Sequence, residues 1–260
     1  MGKLEQRLFG NVFGRVGLES LLLDVPFVCK SWCAATLNPS CWLSIDIPDI
    51  VTDRMMFDPL AMESWKFDPF LKRFVHEYRI NKTNFSVTAF IKFVINRSKG
   101  HATFVRLPLC SQASVEYVAD MCPNLKDLSS PNMLTTIHPG LIQKWKHLES
   151  LTLGCYITKD IISQLSIHCK NLRRLHIKSG IGETASSAIV NLLPNIKYLS
   201  LRSAYVFRDH LIILLQGCKE LEVLDARDCG GFDEGDDEVL KLASRITSFS
   251  SRVLKYWLGF

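Results

Sequence analysis

An apolar pattern that returns six times at nearly equal intervals limits what this chain can fold into more than any other feature. Aligned on its first apolar position, it reads Phe104-x-x-Leu107-x-Leu109, Leu125-x-x-Leu128-x-Ser130, Leu148-x-x-Leu151-x-Leu153, Leu172-x-x-Leu175-x-Ile177, Ile196-x-x-Leu199-x-Leu201 and Leu221-x-x-Leu224-x-Ala226. The steps are 21, 23, 24, 24 and 25 residues. Alternate residues of a strand point to opposite faces, so Leu151 and Leu153 are expected to point inward and Ser150 and Thr152 outward. One such unit cannot bury its own apolar face. A stack of six can, because neighbouring units cover each other.

The period and the L-x-x-L-x-L core identify leucine-rich repeats. Between the strands lie segments with helical spacing: Val115, Val118, Ala119 and Cys122; Ile161, Ile162, Leu165 and Cys169; Ala188, Ile189, Leu192 and Leu193; Leu211, Leu214, Leu215 and Cys218. The expected fold class is α/β, a solenoid over residues 99–250 with parallel strands on the concave face and helices on the convex face. A seventh strand is possible at Ile246-x-x-Phe249. Three units place a cysteine three residues ahead of the first leucine, in Cys122-Pro-Asn-Leu125, Cys169-Lys-Asn-Leu172 and Cys218-Lys-Glu-Leu221. This wording resembles the cysteine-containing repeat subtype, which in its family commonly follows an F-box.

The nine cysteines form no CxxC pair and no metal-ligand spacing, so they are read as small buried apolar residues in a reducing compartment. Net charge is +5 over 260 residues, too little to predict a nucleic-acid partner. No apolar run approaches the roughly 20 residues needed to cross a bilayer, so no membrane partner is expected, and no cofactor or metal is implied.

Residues 1–43 read as a compact group of short helices. Leu4, Leu8, Val12 and Phe13 form a stripe broken by Gly14 and Gly17; Leu18 to Leu23 form a second segment; and a third helix, started near Asp24-Val-Pro26, carries Val28-Cys29-Lys30-Ser31-Trp32 and Ala35. Trp42 closes the group. The run Val28-Cys29-Lys30-Ser31-Trp32, with Val12-Phe13 before it and Trp42 after it, resembles an F-box, and Phe13-Gly-Arg-Val-Gly-Leu-Glu-Ser-Leu-Leu is similar to plant F-box proteins with leucine-rich repeats. Members of that family are substrate receptors of SCF-type cullin ubiquitin ligases, in which the box docks on the Skp adaptor and, through it, on cullin. The resemblance implies adaptor contact by Leu4, Phe9, Val12, Phe13, Val28, Cys29 and Trp32, and residence in the nucleus or cytoplasm. The family's opening L-P-x-D-x-L is here Leu4-Glu5-Gln6-Arg7-Leu8-Phe9, with Glu5 for the proline and Arg7 for the acid. The alternative is a repeat scaffold whose box has no ligase role.

Residues 44–98 read as a connecting and capping segment, with Ile45-Asp-Ile47-Pro48 extended, a helix near Phe70–Tyr78 and the helix of a degenerate first repeat at Ser86–Asn96. Residues 251–260 form an apolar tail. The outward strand positions are Arg106 and Pro108; Asp127 and Ser129; Ser150 and Thr152; Arg174, His176 and Lys178; Tyr198, Ser200 and Arg202; Val223, Asp225 and Arg227. Arg174, His176, Lys178, Tyr198, Arg202 and Arg227 are the candidate target-binding residues, suited to an acidic or phosphorylated segment of a protein because guanidinium forks pair with carboxylate and phosphate. No catalytic constellation appears: there is no G-x-S-x-G, no glycine-rich phosphate loop and no H-E-x-x-H.

Overall fold

The computed structural model describes residues 9–10, 12–49, 69–81, 84–130 and 137–253. The chain divides into two compact units, Met1–Cys122 and Pro123–Phe260. Leu4, Glu5 and Arg7, and the tail beyond residue 253, lie outside the described residues.

The first unit opens with short helices α1 (Gly17–Leu23), α2 (Val25–Val28) and α3 (Lys30–Thr36). Gly17 takes φ +84°, a turn that a side chain would resist, and Leu18, Leu21, Leu22 and Leu23 of α1 are buried. Pro26 lies in the first turn of α2, where its missing N–H costs nothing. The expected single helix through Val28 and Trp32 is two: Cys29 is extended, at φ −163° and ψ 168°, and breaks it. Trp42 ends a 3₁₀ turn (Pro39–Trp42) and is followed by β1 (Ser44–Asp46), which pairs in parallel with β2 (Phe104–Arg106).

That pairing, Ile45 opposite Val105, revises the register expected for the first repeat. Its inward positions are Ala102, Val105 and Leu107, all fully buried, rather than Phe104, Leu107 and Leu109. Pro108, expected to face outward, is buried, while Arg106 pairs with Asp46 and Asp49. Counted from Ala102, the step to Leu125 becomes 23 residues, as in the next interval. Trp42, Ile45 and Ile47 follow the same spacing and are buried, so the residue that closes the helical group also begins a rung.

Helices α4 (Pro69–Glu77) and α5 (Val87–Arg97) lie between these two strands in sequence. Arg73 on α4 donates to the Leu23 carbonyl at 3.0 Å and pairs with Asp24, and the Tyr78 hydroxyl donates to the Leu22 carbonyl at 3.1 Å. The Arg73 guanidinium holds the Asp24 carboxyl below the usual carboxylate range. Phe70, Phe74 and Tyr78 meet Phe90 and Phe93 of α5 at ring separations of 4.8 to 6.0 Å, and so hold α4 and its C-terminal turn against α5. Helix α6 (Gln112–Met121) closes the unit.

In the second unit β3 (Asp127–Ser130), β4 (Ser150–Leu153), β5 (Arg174–Ile177), β6 (Tyr198–Ser200), β7 (Val223–Cys229) and β8 (Ser248–Val253) pair in chain order, all parallel. The strand at Phe249 is therefore a true rung. Leu128, Leu151, Leu175, Leu199, Leu224 and Phe249 stand in one row across the ladder, and the five leucines are 1% exposed or less. Helices α7 (Lys159–His168), α8 (Glu183–Leu192), α9 (Arg208–Gly217) and α10 (Asp237–Ala243) connect successive strands. Between β3 and β4 the return contains a 3₁₀ segment at Pro139–Lys144. The unit is an α/β leucine-rich-repeat solenoid.

The repeat cysteines Cys122, Cys169 and Cys218 each end a helix, give their N–H to the carbonyl four residues back and are buried. Burial pushes the Cys122 and Cys169 thiols up to about 12 and Cys218 to about 11, which keeps them as neutral apolar fillers. The same position is Trp145, Leu193 and Ala243 in the other rungs of this unit, all buried, so it selects for apolarity rather than for sulfur. Among the described residues no group of His, Cys, Asp and Glu is placed to hold a metal ion, and no helix is long and apolar enough to cross a membrane.

Candidate functional site

The N-terminal helices divide their apolar residues between a core and a bare surface. Phe13 is buried; Phe9 stacks on it at 5.3 Å, and Trp32 meets both rings, at 6.3 Å from Phe9 and 5.2 Å from Phe13. This trio is partly core. Val12 is 58% exposed, Val28 60% and Cys29 exposed. Phe27 at 55% and Leu37 at 54% join them, although sequence reasoning did not single out either. The cause is local: Val25 points into the bundle, and the four-residue helix α2 then turns Phe27 and Val28 outward. Several exposed large apolar side chains on short N-terminal helices mark a candidate interaction surface.

In the second unit the outward strand residues form rows across the ladder. Asp127, Ser150, Arg174, Tyr198 and Val223 make one; Ser129, Thr152, His176, Ser200 and Asp225 make the next. The His176 and Tyr198 rings lie 4.9 Å apart. The expected basic cluster is only partly available to a ligand. Arg227 donates from Nε and Nη2 to the two oxygens of its own strand's Asp225, at 2.8 and 2.7 Å, and Arg202 donates from Nε to Asp228 at 3.0 Å. The Arg227 pair holds the buried Asp225 carboxyl below its ordinary range. Arg174 and Lys178 are exposed and make no ion pair among the described residues.

Burial lowers the His176 imidazole below its usual 6.5, with Asp127 and Asp225 opposing more weakly than burial acts. The folded ring therefore resists a proton that the unfolded chain accepts. The stability that follows is present in full above about pH 6.5 and lost as pH falls through the lower folded value. Melting temperature is expected to fall between pH 7 and pH 5, and a His176→Gln variant should show a shallower fall; identical pH slopes in the two proteins would refute this account of the ring.

No protein-family model matches the chain. An F-box/LRR-repeat protein of Arabidopsis thaliana is 25% identical over 230 residues, 86% of this chain and 70% of that relative. The Arabidopsis F-box protein SKIP1 is 25% identical over 253 residues, covering 88% and 78%, and the Arabidopsis F-box protein FBW2 is 26% identical over 234 residues, covering 85% and 65%. Among solved structures, an internalin from Listeria monocytogenes superposes with a TM-score of 0.40 at 15% identity, over 60% of this chain and 50% of that one. These relatives align along most of the chain, so with its observed repeat architecture the chain is similar to plant F-box/leucine-rich-repeat proteins.

Proposed function

We propose that the chain is the substrate-recognition subunit of an SCF-type cullin ubiquitin ligase, acting in the nucleus or cytoplasm. The N-terminal helices hold the Skp adaptor and, through it, cullin, while the repeats hold a target protein. One observation carries the reading: Val12, Phe27, Val28 and Leu37 stay exposed on the helices of a chain whose relatives are named as F-box proteins. The chain itself performs no chemistry in this role. Its contribution is proximity, since tethering raises the local concentration of target lysines near the ubiquitin carrier.

Target contact is assigned to Arg174, Lys178, His176 and Tyr198, with Arg202 and Arg227 held back by their own carboxylates. A segment with a carboxylate or phosphate fits the two exposed cations. The alternative, a repeat scaffold without a ligase role, rests on Glu5 and Arg7 at positions where the family has proline and an acid. Affinity capture from plant tissue separates the two. The tagged chain should bring down adaptor and cullin together; recovery of neither, from a folded bait, would leave the scaffold.

A further inference from the structure

We infer that the loops leaving β4, β5 and β6 form a binding groove for an extended peptide that sets an aromatic side chain beside an aspartate or glutamate. Its assignment to the ligase target rests on the receptor reading above; its capacity to bind such a peptide does not.

The groove encloses about 680 Å³ and is bounded by three successive loops. Its walls are aromatic: Tyr156 is 71% exposed, Phe207 54% and Tyr205 38%. Such rings in water are unusual in turns, where short polar residues normally serve. Its floor is glycine. A Cβ built on Gly180 would lie 3.5 Å from the Tyr156 ring and 3.5 Å from the Tyr205 carbonyl, and one built on Gly182 would meet nothing within 4 Å. Gly180 thus lies between two tyrosines, and the absent side chains leave the space open.

The loops are held in place before any ligand arrives. Ile181 donates to the Tyr205 carbonyl at 3.0 Å, Val206 to Gly230 at 2.9 Å, and Ser179 Oγ to Cys155 at 2.7 Å. Parallel bridges join Ile181 to Val206 and Tyr205 to Gly230, so the strand ladder continues into the loops. Phe207 is set by edge contacts with Tyr205 at 5.1 Å and His210 at 5.6 Å, and His210 Nδ1 lies 3.1 Å from the Ile181 carbonyl. A fixed aromatic surface gives up little conformational freedom on binding, which is how such surfaces gain affinity.

Charge and dimensions select the occupant. Among the described residues that line the groove, Lys178 and His210 are the only basic ones and none is a carboxylate. Lys178 makes no ion pair among the described residues. A cationic ligand would meet an ammonium on entering, and a single lysine is too little for a nucleic-acid backbone. Three loops at the roughly 4.8 Å spacing of neighbouring strands span about 10 Å, the length of about three extended residues. An open trough of that length suits a short segment of chain: a ring enters between Tyr156 and Tyr205, and the adjacent carboxylate meets Lys178.

The test uses the full chain on an array of Gly/Ser-flanked peptides that carry every ordered pair of amino acids at the centre, with adaptor binding measured on the same preparation. Signal should concentrate on aromatic–acidic pairs. The best peptide, measured in solution by fluorescence anisotropy, should weaken at least about tenfold with Tyr156→Ala and with Lys178→Glu, and Lys178→Glu should shift preference toward Lys and Arg. Both side chains are exposed, so neither change should alter the melting temperature. A flat array, a preference for basic pairs, or an acidic preference that survives both substitutions would overturn the inference. Loss of adaptor binding with the peptide preference intact would instead count against the receptor reading alone.

Discussion

Replacing Phe27 and Val28 together by aspartate should reduce capture of the Skp adaptor by at least about a hundredfold and leave the melting temperature unchanged. Both side chains are more than half exposed, at 55% and 60%, so the folded chain gives up little packing. A partner that covers them must desolvate two carboxylates in place of two apolar side chains, which is far costlier than losing two apolar contacts. Trp32→Ala is a poorer test. Its ring packs on Phe9 and Phe13, so that change loosens the bundle as well as its surface. Calorimetric titration of purified adaptor, with thermal unfolding alongside, separates the two effects. Undiminished capture by the doubly substituted chain would remove these residues from the interface.

The largest loss of stability is expected at Trp42. The ring is 1% exposed, its Nε1–H donates to the Thr36 carbonyl at 2.7 Å, and the Arg97 guanidinium lies 5.3 Å from its centre. It therefore joins the end of α3, the start of β1 and helix α5 within one unit. Trp42→Ala leaves a large cavity and an unpaired carbonyl, a change that typically costs about 3 to 5 kcal/mol. Against a total of roughly 5 to 15 kcal/mol for a domain, that takes the first unit close to unfolding. Trp42→Phe keeps most of the packing and loses the hydrogen bond, so about 1 to 2 kcal/mol is expected. Denaturant midpoints for the three proteins check the order. An alanine variant as stable as the phenylalanine variant would show that the ring's volume is not what holds the unit together.

The repeats were legible because every rung must place an apolar residue at the same inward positions, and a stack gives no freedom to vary them. Where the rule was misapplied, side-chain size misled it. Phe104 imitates the first large residue of a rung, but the position belongs to Ala102, whose small side chain is fully buried. The rung at Trp42, Ile45 and Ile47 was hidden by the long stretch of sequence that separates β1 from β2, its partner. At the N-terminus the family wording located the helices, yet the break at Cys29 and the exposure of Phe27 depend on how three short helices turn on one another, which no periodicity encodes. On the ladder the basic residues were found and their availability was not. Arg227 and Asp225 are two apart on one strand and so share a face, a pairing that alternation allows but does not demand.

Hydrogen exchange of the full chain with and without purified Skp adaptor tests the central claim most directly, because it reads the whole backbone at once. The adaptor should slow exchange over residues 12–37 and leave 137–253 unchanged. Protection across the ladder strands, or none anywhere at saturating adaptor, would contradict a chain that binds shared machinery at one end and selects its target with the other.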